Sequence, residues 1–431
     1  MKNRLAPTLL ALLTVCGSAP LAIAEDRAVA SSSPPNILLI ISDDQAYGDY
    51  SFMGHPHIQT PNIDNLAKES LTFRRGYVPT SLCRPSLATI VTGLYPHQHK
   101  ITGNDPTPKQ NRNRMLRLID AVDTLPERLG KKGYVSLQTG KWWEGDPKER
   151  GFTHAMTHGD PARGGRHGDE GLTIGRKGLT PIAEFLDGPA KAKPFFIWYA
   201  PFLPHFPHTP PERLLKKYQP HTDSIHVARY WAMCEWFDET VGELLGIIED
   251  RQLAENTMVI YVCDNGWIQR IDGRFDAPRS KRSPYEGGVR TPIMLRWPGK
   301  VKPRFADDLA SSIDIVPTVL AAAGVKPKTE LPGLDWLQIA EGGVLDRNAV
   351  FGAIFEHDIP DVDDPEKGLT HRWIVTHDYK LIDPHKPDRF PRDPTEPRLY
   401  KIATDPHEKT PVEAPEKMKE LRSRLDAWWT P

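Results

Sequence analysis

Two apolar segments of strand length are each followed by a pair of oxygen-bearing side chains. The pairs are Asp43-Asp44, after the segment at residues 36–41, and Asp264-Asn265, after the segment at residues 258–262. Because an open α/β sheet binds ligands beyond the carboxyl ends of its strands, we expect the four side chains to meet. Their oxygens suit Ca²⁺ or Mg²⁺. A single aspartate after a strand is better explained as a turn cap, but two such pairs favour a metal site.

A second candidate for a reactive site is a predicted helix that starts at a cysteine. Cys83 opens a segment with Pro85 in its first turn and Gly93 at its end, which predicts a helix. The amino end of a helix carries free N–H groups and positive potential, so it favours anions. The alternative is that Cys83 is a small buried residue before a helix. Lys141 and His205 also follow predicted strands.

Six motifs occur in an order that resembles the type I sulfatases, the formylglycine-dependent, arylsulfatase-like enzymes of the alkaline phosphatase superfamily. The similarity covers residues 36 to about 300. The motifs are Asp43-Asp44, Cys83-Arg84-Pro85-Ser86 with Thr92-Gly93, Gly140-Lys141-Trp142, His205-Phe206-Pro207, Asp264-Asn265-Gly266, and Lys281 five residues before Glu286-Gly287-Gly288-Val289-Arg290. Each motif is weak alone, whereas chance matches rarely share one order and one structural context.

The resemblance implies a site and its cofactors. Cys83 would be converted to formylglycine, whose hydrate is the nucleophile of the family, by a formylglycine-generating enzyme as partner. One Ca²⁺ per chain would be held by the four oxygen-bearing residues together with residue 83. Lys141 and Lys281 would neutralise developing charge, and His205 would be the general acid. We therefore expect a sulfatase acting on a sulfated small molecule or polysaccharide, and we favour a carbohydrate.

Two positions depart from the family pattern. Leu87 stands where the family has an arginine that is read during cysteine conversion and braces the aldehyde hydrate. Trp143 replaces the histidine that takes the proton when the sulfated hydrate collapses to aldehyde. Other histidines are candidates to replace it: His154, His158 and His167 in the following loop, with His97 and His99 after the cysteine helix.

The substrate-binding residues are less constrained by the sequence. Residues 160–177 form a glycine-rich basic segment that either reads further anionic groups on a glycan or is a solvated loop. The candidates for substrate binding are Arg84, His158, Arg163 and Arg166. Trp142, Trp143 and Trp267 are candidates for stacking on sugar rings, or for the core.

The elements that position these residues alternate between strands and helices. Strands are predicted at residues 36–41, 134–138, 195–199 and 258–262, with helices at 124–133 and 226–250. This pattern predicts a large, doubly wound, mostly parallel sheet flanked by helices. Short strands at 350–355, 373–377, 380–383 and 399–403, followed by a helix at 415–428, predict a smaller C-terminal antiparallel sheet with a packed helix. We assign 36–340 to the catalytic domain and 341–431 to the small one.

The composition and the amino-terminal segment set the cellular context. The 431 residues carry a formal net charge of −1, which gives no sign of nucleic-acid binding, and 39% are hydrophobic, enough for a large core. Residues 1–24 have the pattern of a signal peptide, 25–35 read as a linker, and the apolar stretch is too short to be transmembrane. We expect export to the periplasm or the medium. Cleavage leaves Cys83, Cys234 and Cys263, of which Cys234 lies on the apolar face of its helix.

Three other classes of protein remain open at this point. Phosphodiesterases and phosphonate monoester hydrolases share the superfamily fold, and sequence barely separates them from sulfatases. A degenerate, non-catalytic glycan-binding relative would explain Leu87 and Trp143. A structural metal-binding protein would not explain the ordered lysine and histidine motifs.

Overall fold

The computed structural model describes Met1, residues 34–385 and residues 394–431. The predicted signal peptide and nearly all of the predicted linker lie outside the described residues, so both stay predictions.

Strands and helices alternate along the first three quarters of the described chain. The strands are β1 Asn36–Ser42, β2 Leu71–Tyr77, β3 Asp105–Pro106, β4 Val135–Gly140, β5 His154–Ala155, β6 Phe195–Ala200, β7 Thr257–Cys263, β8 Arg290–Arg296, β9 Arg304–Ser311, β10 Val350–Phe355, β11 Asp358–Ile359, β12 Leu369–Val375, β13 Lys380–Pro384 and β14 Arg398–Tyr400. The α-helices are α1 Pro61–Lys68, α2 Cys83–Thr92, α3 Pro96–His99, α4 Arg112–Leu116, α5 Leu125–Gly130, α6 Thr180–Asp187, α7 Glu212–Tyr218, α8 Ile225–Asp250, α9 Glu286–Val289, α10 Ile315–Ala322 and α11 Pro415–Trp428.

Eight strands form the main sheet, in the order β5-β4-β6-β1-β7-β8-β2-β9. Only β8 runs antiparallel to its neighbours β7 and β2. The prediction of a large, mostly parallel sheet is therefore confirmed. The apolar segments predicted as strands correspond to β1, β4, β6 and β7, whereas β2, β8 and β9 were not predicted. Charged residues interrupt the apolar pattern of β2 and β9, and in β8 they flank a short apolar run.

Helices cover both faces of this sheet, which explains why β1 is apolar throughout. Ile37, Leu39 and Ile41 join one core, with residues of α2, α5 and α10. Leu38 and Ile40 join a second core on the opposite face, with residues of α1, α6 and α8. Alternate side chains of a strand point to opposite faces, so a continuous apolar run is what a doubly covered strand requires.

A second sheet of four antiparallel strands follows, in the order β10-β12-β13-β14. Helix α11 packs on it through Leu421 and Leu425. The small antiparallel sheet with a helix is thus also confirmed, while the domain boundary at residue 340 stays a prediction. Among the described helices, none has the length and apolar character needed to cross a membrane.

A buried ionic cluster connects the two sheets. Lys380 on β13 lies 3.0 Å from Glu286 on α9 and 3.1 Å from Glu408, and all three side chains are almost fully buried. Burial raises the pKa of Glu408 to about 7 from an ordinary value of 4.5, and the charge of Lys380 opposes that rise. Because the folded pKa exceeds the unfolded one, this carboxyl stabilises the fold at low pH and its contribution is lost as the pH rises from 4.5 to about 7.

We expect Lys380→Met to lower the free energy of unfolding by about 3–5 kcal/mol, since it leaves two buried carboxyls without their cation. The loss should be larger at pH 8 than at pH 5, where more of the carboxyls keep their protons. Urea denaturation at both pH values measures this. Lys417→Met, which removes an exposed partner of Glu420, is the control and should change stability by less than about 0.5 kcal/mol. Equal effects of the two variants would contradict the prediction.

Candidate active site

The predicted site residues converge at the carboxyl edge of the main sheet. Asp43-Asp44 follow β1, and Asp264-Asn265 follow β7. The two strands pair in parallel with Ser42 opposite Cys263, so Asp43, which follows Ser42, lies beside Asp264, which follows Cys263. The backbone N–H of Asp44 donates to Asp264 Oδ1 at 3.1 Å. Asp44 takes a φ of 63°, a left-handed conformation that costs energy in a residue other than glycine.

Two lysines are paired with the first two aspartates. Lys141, which follows β4, places Nζ 2.6 Å from Asp43 Oδ1 and 3.8 Å from Asp264 Oδ2. Lys281 places Nζ 2.6 and 2.8 Å from the two carboxylate oxygens of Asp44. Burial lowers the pKa of each lysine, but the neighbouring carboxylates outweigh burial and raise it above its usual value. Both lysines are therefore charged.

Cys83 is the first residue of α2 and is almost fully buried. Its Sγ lies 3.0 Å from Lys281 Nζ. Burial raises the pKa of the Cys83 thiol to about 12, even though both lysines lower it. A thiol with that pKa is protonated near neutral pH and is a poor nucleophile, so attack by an unmodified Cys83 is disfavoured.

The free oxygens of the site fit a hard cation. Asp43 Oδ2, Asp264 Oδ2 and Asn265 Oδ1 are buried and have no hydrogen-bond partner among the described residues. Ligand atoms of Asp43, Asp44, Cys83 and His205 all lie within 4.8 Å of one another. Burial raises the pKa of Asp264 even though Lys141 and Lys281 lower it, so the protein compensates its ionised form only in part. A divalent cation among these oxygens would supply that compensation.

His205 follows β6 and lies on the other side of Asp44. Its Nε2 is 3.3 Å from Asp44 Oδ2, and its Nδ1 is 2.5 Å from the carbonyl oxygen of Phe206. Burial and the charge of Lys141 lower its pKa well below the usual value, although the Asp44 carboxylate opposes them. In the neutral ring, the Phe206 carbonyl favours a proton on Nδ1.

A cavity of about 530 Å³ opens above these groups. The predicted residues Asp44, Cys83, Lys141, His205 and Lys281 line it. The remaining wall includes Asn104, Trp143, Arg166, His167, Trp267 and His357.

Trp143 is not available for sugar stacking, because it is only 5% exposed. The Arg166 guanidinium lies 5.1 Å from the centroid of its ring, and the His167 ring stacks on it at 4.8 Å. Arg166 is also paired with Asp105 and remains 44% exposed at the cavity wall. Trp142 and Trp267 are likewise buried, at 3% and 5% exposure.

His167 is the loop histidine that the structure brings to the cavity. Its Nδ1 is buried without a hydrogen-bond partner in the described part of the chain. Burial lowers its pKa to about 3, helped by the charges of Lys141 and Arg166, so the ring is neutral. His158 instead accepts the N–H of Asp160 through Nδ1, and His154 contacts Phe185. The two histidines after α2 are also engaged elsewhere: His97 stacks on Trp429, and His99 bonds to Thr89.

Three residues predicted to bind substrate are placed outside the cavity lining: Arg84, His158 and Arg163. Arg84 is fully buried and makes two 2.7 Å hydrogen bonds to Glu144, besides bonds to two carbonyl groups. It therefore anchors the start of α2. Arg163 is exposed. Arg166 alone of the four candidates lines the cavity.

Sequence reasoning missed His357 and Asn104 in the cavity wall. His357 lies two residues after β10, in the small antiparallel sheet, where the rule for the carboxyl ends of parallel strands does not apply. Asn104 accepts the backbone N–H of Arg84 through Oδ1 at 2.9 Å, a contact that depends on the fold and has no signal in the sequence.

Buried carboxylates and two charged lysines at the carboxyl edge of the main sheet suit a metal-assisted reaction at an anionic group, and comparison with known proteins gives the family. The model described as Sulfatase matches residues 35–325, and that described as N-sulphoglucosamine sulphohydrolase, C-terminal, matches residues 273–429. This chain belongs to the sulfatase family, and it is a sulfuric ester hydrolase.

Individual relatives are sulfatases of mammals and bacteria. Human arylsulfatase A is 32% identical over 77% of this chain and 72% of its own. The N-acetylgalactosamine-6-sulfatase of Canis lupus familiaris is 30% identical over 75% of this chain and 69% of its own. An N-acetylgalactosamine-6-O-sulfatase of Bacteroides thetaiotaomicron is 26% identical over 99% of both chains.

Solved structures share the fold at lower identity. The crystal structure of Ps i-CgsB superposes with a TM-score of 0.72, at 23% identity over 92% of this chain and 93% of that one. The structure of BT4656 in complex with its substrate D-glucosamine-2-N,6-O-disulfate has a TM-score of 0.70, at 19% identity over 92% of this chain and 96% of that one. The phosphonate monoester hydrolase of Agrobacterium radiobacter has a TM-score of 0.68, at 20% identity over 91% of this chain and 95% of that one.

We expect Asp264→Ala to abolish binding of a hard divalent cation and to lower turnover by at least about a hundredfold, because it removes a donor oxygen from the buried set. Elemental analysis of the purified protein and an assay with nitrophenyl sulfate measure the two effects. The control is Asp276→Asn, a change at another buried acid of the cavity wall, which pairs with Arg282. Full activity of Asp264→Ala, or of thoroughly chelated enzyme, would contradict the metal site.

Proposed function

We propose that this protein hydrolyses the sulfate esters of a sulfated carbohydrate, with a formylglycine derived from Cys83 and one calcium ion. The observation that carries the proposal is the position of Cys83 Sγ at the start of α2, 3.0 Å from Lys281 Nζ and within 4.8 Å of ligand atoms of Asp43, Asp44 and His205. Such a residue has the surroundings of a nucleophile but not the pKa of one. Conversion of its side chain removes that conflict, and a formylglycine-generating enzyme would carry it out.

Calcium is the cation that the donor set suits best. The predicted ligands Asp43, Asp44, Asp264 and Asn265 provide only oxygens, and residue 83 lies within reach of the first two. When bound, the ion supplies electrostatic stabilisation of the charge on the sulfate oxygens. If Ca²⁺ restores the activity of chelated enzyme at a lower concentration than Mg²⁺ does, that result supports calcium.

The protein's own residues divide the remaining tasks. Lys141 and Lys281 hold fixed positive charge where the spectator oxygens of a sulfate would lie, in a site closed to water on the sheet side. His205 lines the same cavity and, in this proposal, gives a proton from its protonated ring to the leaving oxygen. A bound sulfate adds negative charge and so raises the pKa of His205, which burial and the two lysines otherwise lower.

Two observations support a carbohydrate substrate and export. The mammalian and bacterial relatives include N-acetylgalactosamine-6-sulfatases, and a structural neighbour binds D-glucosamine-2-N,6-O-disulfate. The first 24 residues carry the pattern of a signal peptide, which favours a periplasmic or secreted enzyme.

A mass spectrum of the peptide across Cys83 tests the nucleophile, since the aldehyde is lighter than the thiol. We expect Cys83→Ala to abolish turnover of nitrophenyl sulfate without unfolding the chain, because a helix start tolerates a small residue. Cys234→Ala is the matched control: that thiol is fully buried in a core on α8, so its loss should cost stability and spare turnover. Normal turnover by Cys83→Ala would refute the proposed nucleophile.

Phosphonate hydrolysis is the second candidate, favoured by the Agrobacterium radiobacter neighbour. The sulfate and phosphonate monoesters of nitrophenol, assayed side by side on the same preparation, decide between the two reactions. Binding of sulfated sugars without turnover, in protein whose Cys83 is verified as converted, would instead identify a degenerate relative.

Trp143 cannot serve as a proton acceptor, since an indole N–H only donates. We expect His167 to take this role. His167→Ala should leave the first turnover fast and slow later ones by about a hundredfold or more, which gives a burst in rapid-mixing assays. His158→Ala, a loop histidine outside the cavity lining, is the control and should show steady turnover. A burst in His158→Ala but not in His167→Ala would reverse the assignment.

A further inference from the structure

An exposed phenyl ring stands at the wall of the active-site cavity. Phe275 is 54% exposed and lines the cavity together with Phe206, the residue that follows His205. The two ring centroids are 6.2 Å apart at an angle of 44°. Exposure of a large aromatic side chain is unfavourable in water, so a phenyl ring held open beside a catalytic site indicates a surface that becomes covered.

The loop that carries Phe275 is held in one conformation. The backbone N–H of Arg270 donates to the carbonyl of Phe275 at 3.2 Å, and that of Ala277 donates to Ile268 at 2.7 Å. The buried Gln269 side chain donates from Nε2 to the carbonyl oxygens of Gly273 at 2.6 Å and of Phe275 at 3.4 Å. A loop closed in this way presents Phe275 without an ordering cost when a ligand binds.

A cation lies on the same aromatic pair. The Arg274 guanidinium is 4.9 Å from the ring centroid of Phe275 and 5.7 Å from that of Phe206. Its neighbour Arg270 is paired with Asp272, and Arg282 with Asp276. Arg274, in contrast, has no ion pair among the described residues, so its charge is available to an anionic ligand.

We propose that Phe275 and Arg274 form a subsite for a second sugar of the substrate, in which the apolar face of that sugar stacks on Phe275 and an acidic group on it meets Arg274. The inference rests on the proposed sulfatase activity towards carbohydrates. It narrows the substrate to anionic oligosaccharides of at least two sugars. Sugar rings have an apolar C–H face that suits an aromatic ring, and carboxylate or sulfate groups suit a guanidinium.

The test compares long and short substrates. The wild-type enzyme is assayed on nitrophenyl sulfate, on sulfated monosaccharides of galactosamine and glucosamine, and on sulfated tetrasaccharides of the same sugars. We expect a higher kcat/KM for a tetrasaccharide than for its monosaccharide. Equal or better turnover of the monosaccharides would overturn the subsite and leave the proposed function intact. Absence of turnover on all substrates, after verified conversion of Cys83, would refute the proposed function itself.

Variants of Phe275 and Arg274 test whether this loop causes the preference for the tetrasaccharide. Phe275→Ala should raise KM for the tetrasaccharide about tenfold, with kcat nearly unchanged, and this factor should exceed the change in KM for nitrophenyl sulfate. Phe275→Trp should restore the KM, since it replaces one aromatic surface with another. Arg274→Gln should raise the KM about fivefold at low salt and less at high salt. Unchanged KM values in both loop variants would overturn the subsite.

The chain offers a matched control for the phenyl ring. Phe305 on β9 is 44% exposed, has the Arg74 guanidinium 5.8 Å from its ring, and lies next to another phenylalanine, Phe52, at 6.3 Å. It does not line the cavity. Phe305→Ala should therefore leave all KM values unchanged. A similar rise in KM for Phe305→Ala would show that the effect of Phe275→Ala is not specific to the cavity.

Discussion

Three carboxylates are buried together at one edge of the main sheet, and only two lysines are paired with them. Transfer of an ionised group from water into a protein interior costs several kcal/mol unless a partner compensates it. Burial raises the pKa of all three carboxyls, and only at Asp44 does the charge of Lys281 outweigh it. At Asp43 and Asp264 burial prevails over Lys141, and each keeps one buried oxygen without a hydrogen-bond partner among the described residues. This imbalance of charge favours binding of a cation. The carboxylates and lysines can meet only if the ends of the strands that carry them keep their relative positions.

The sheet meets that requirement through the register of its central strands. Because side chains of β1 alternate between two separate close-packed cores, a shift by one residue would exchange side chains of different shape between them and disturb the packing of both. The same register sets Ser42 opposite Cys263 and so places Asp43 beside Asp264. Helix α2 is fixed independently, by the ion pair of Arg84 with Glu144 and by apolar residues of its inner face. The geometry at Cys83 thus depends on packing far from the reacting groups.

The sequence was sufficient for the parts of the site that follow local rules. Apolar runs located β1, β4, β6 and β7, and the polar residues after those strands met as expected. The same rules could not determine the role of Arg84, whose charge is used within the protein because Glu144 lies opposite it, sixty residues later in the chain. Nor could they select His167 over His158, since the two lie in one loop and differ only in which way that loop folds. Non-local contacts decide both cases.

The two departures from the family pattern both place a buried apolar side chain near Cys83 or the cavity, Leu87 at 4% and Trp143 at 5% exposure. Leu87 joins the core one turn after Cys83, so it adds no charge at that turn of α2. Trp143 contacts both Arg166 and His167 through its ring, and these two side chains line the cavity. A guanidinium and an imidazole are therefore supplied from a loop more than seventy residues beyond Cys83. Because that loop is joined to Asp105 through Arg166, a change at Trp143 would alter the charge of the wall as well as its shape.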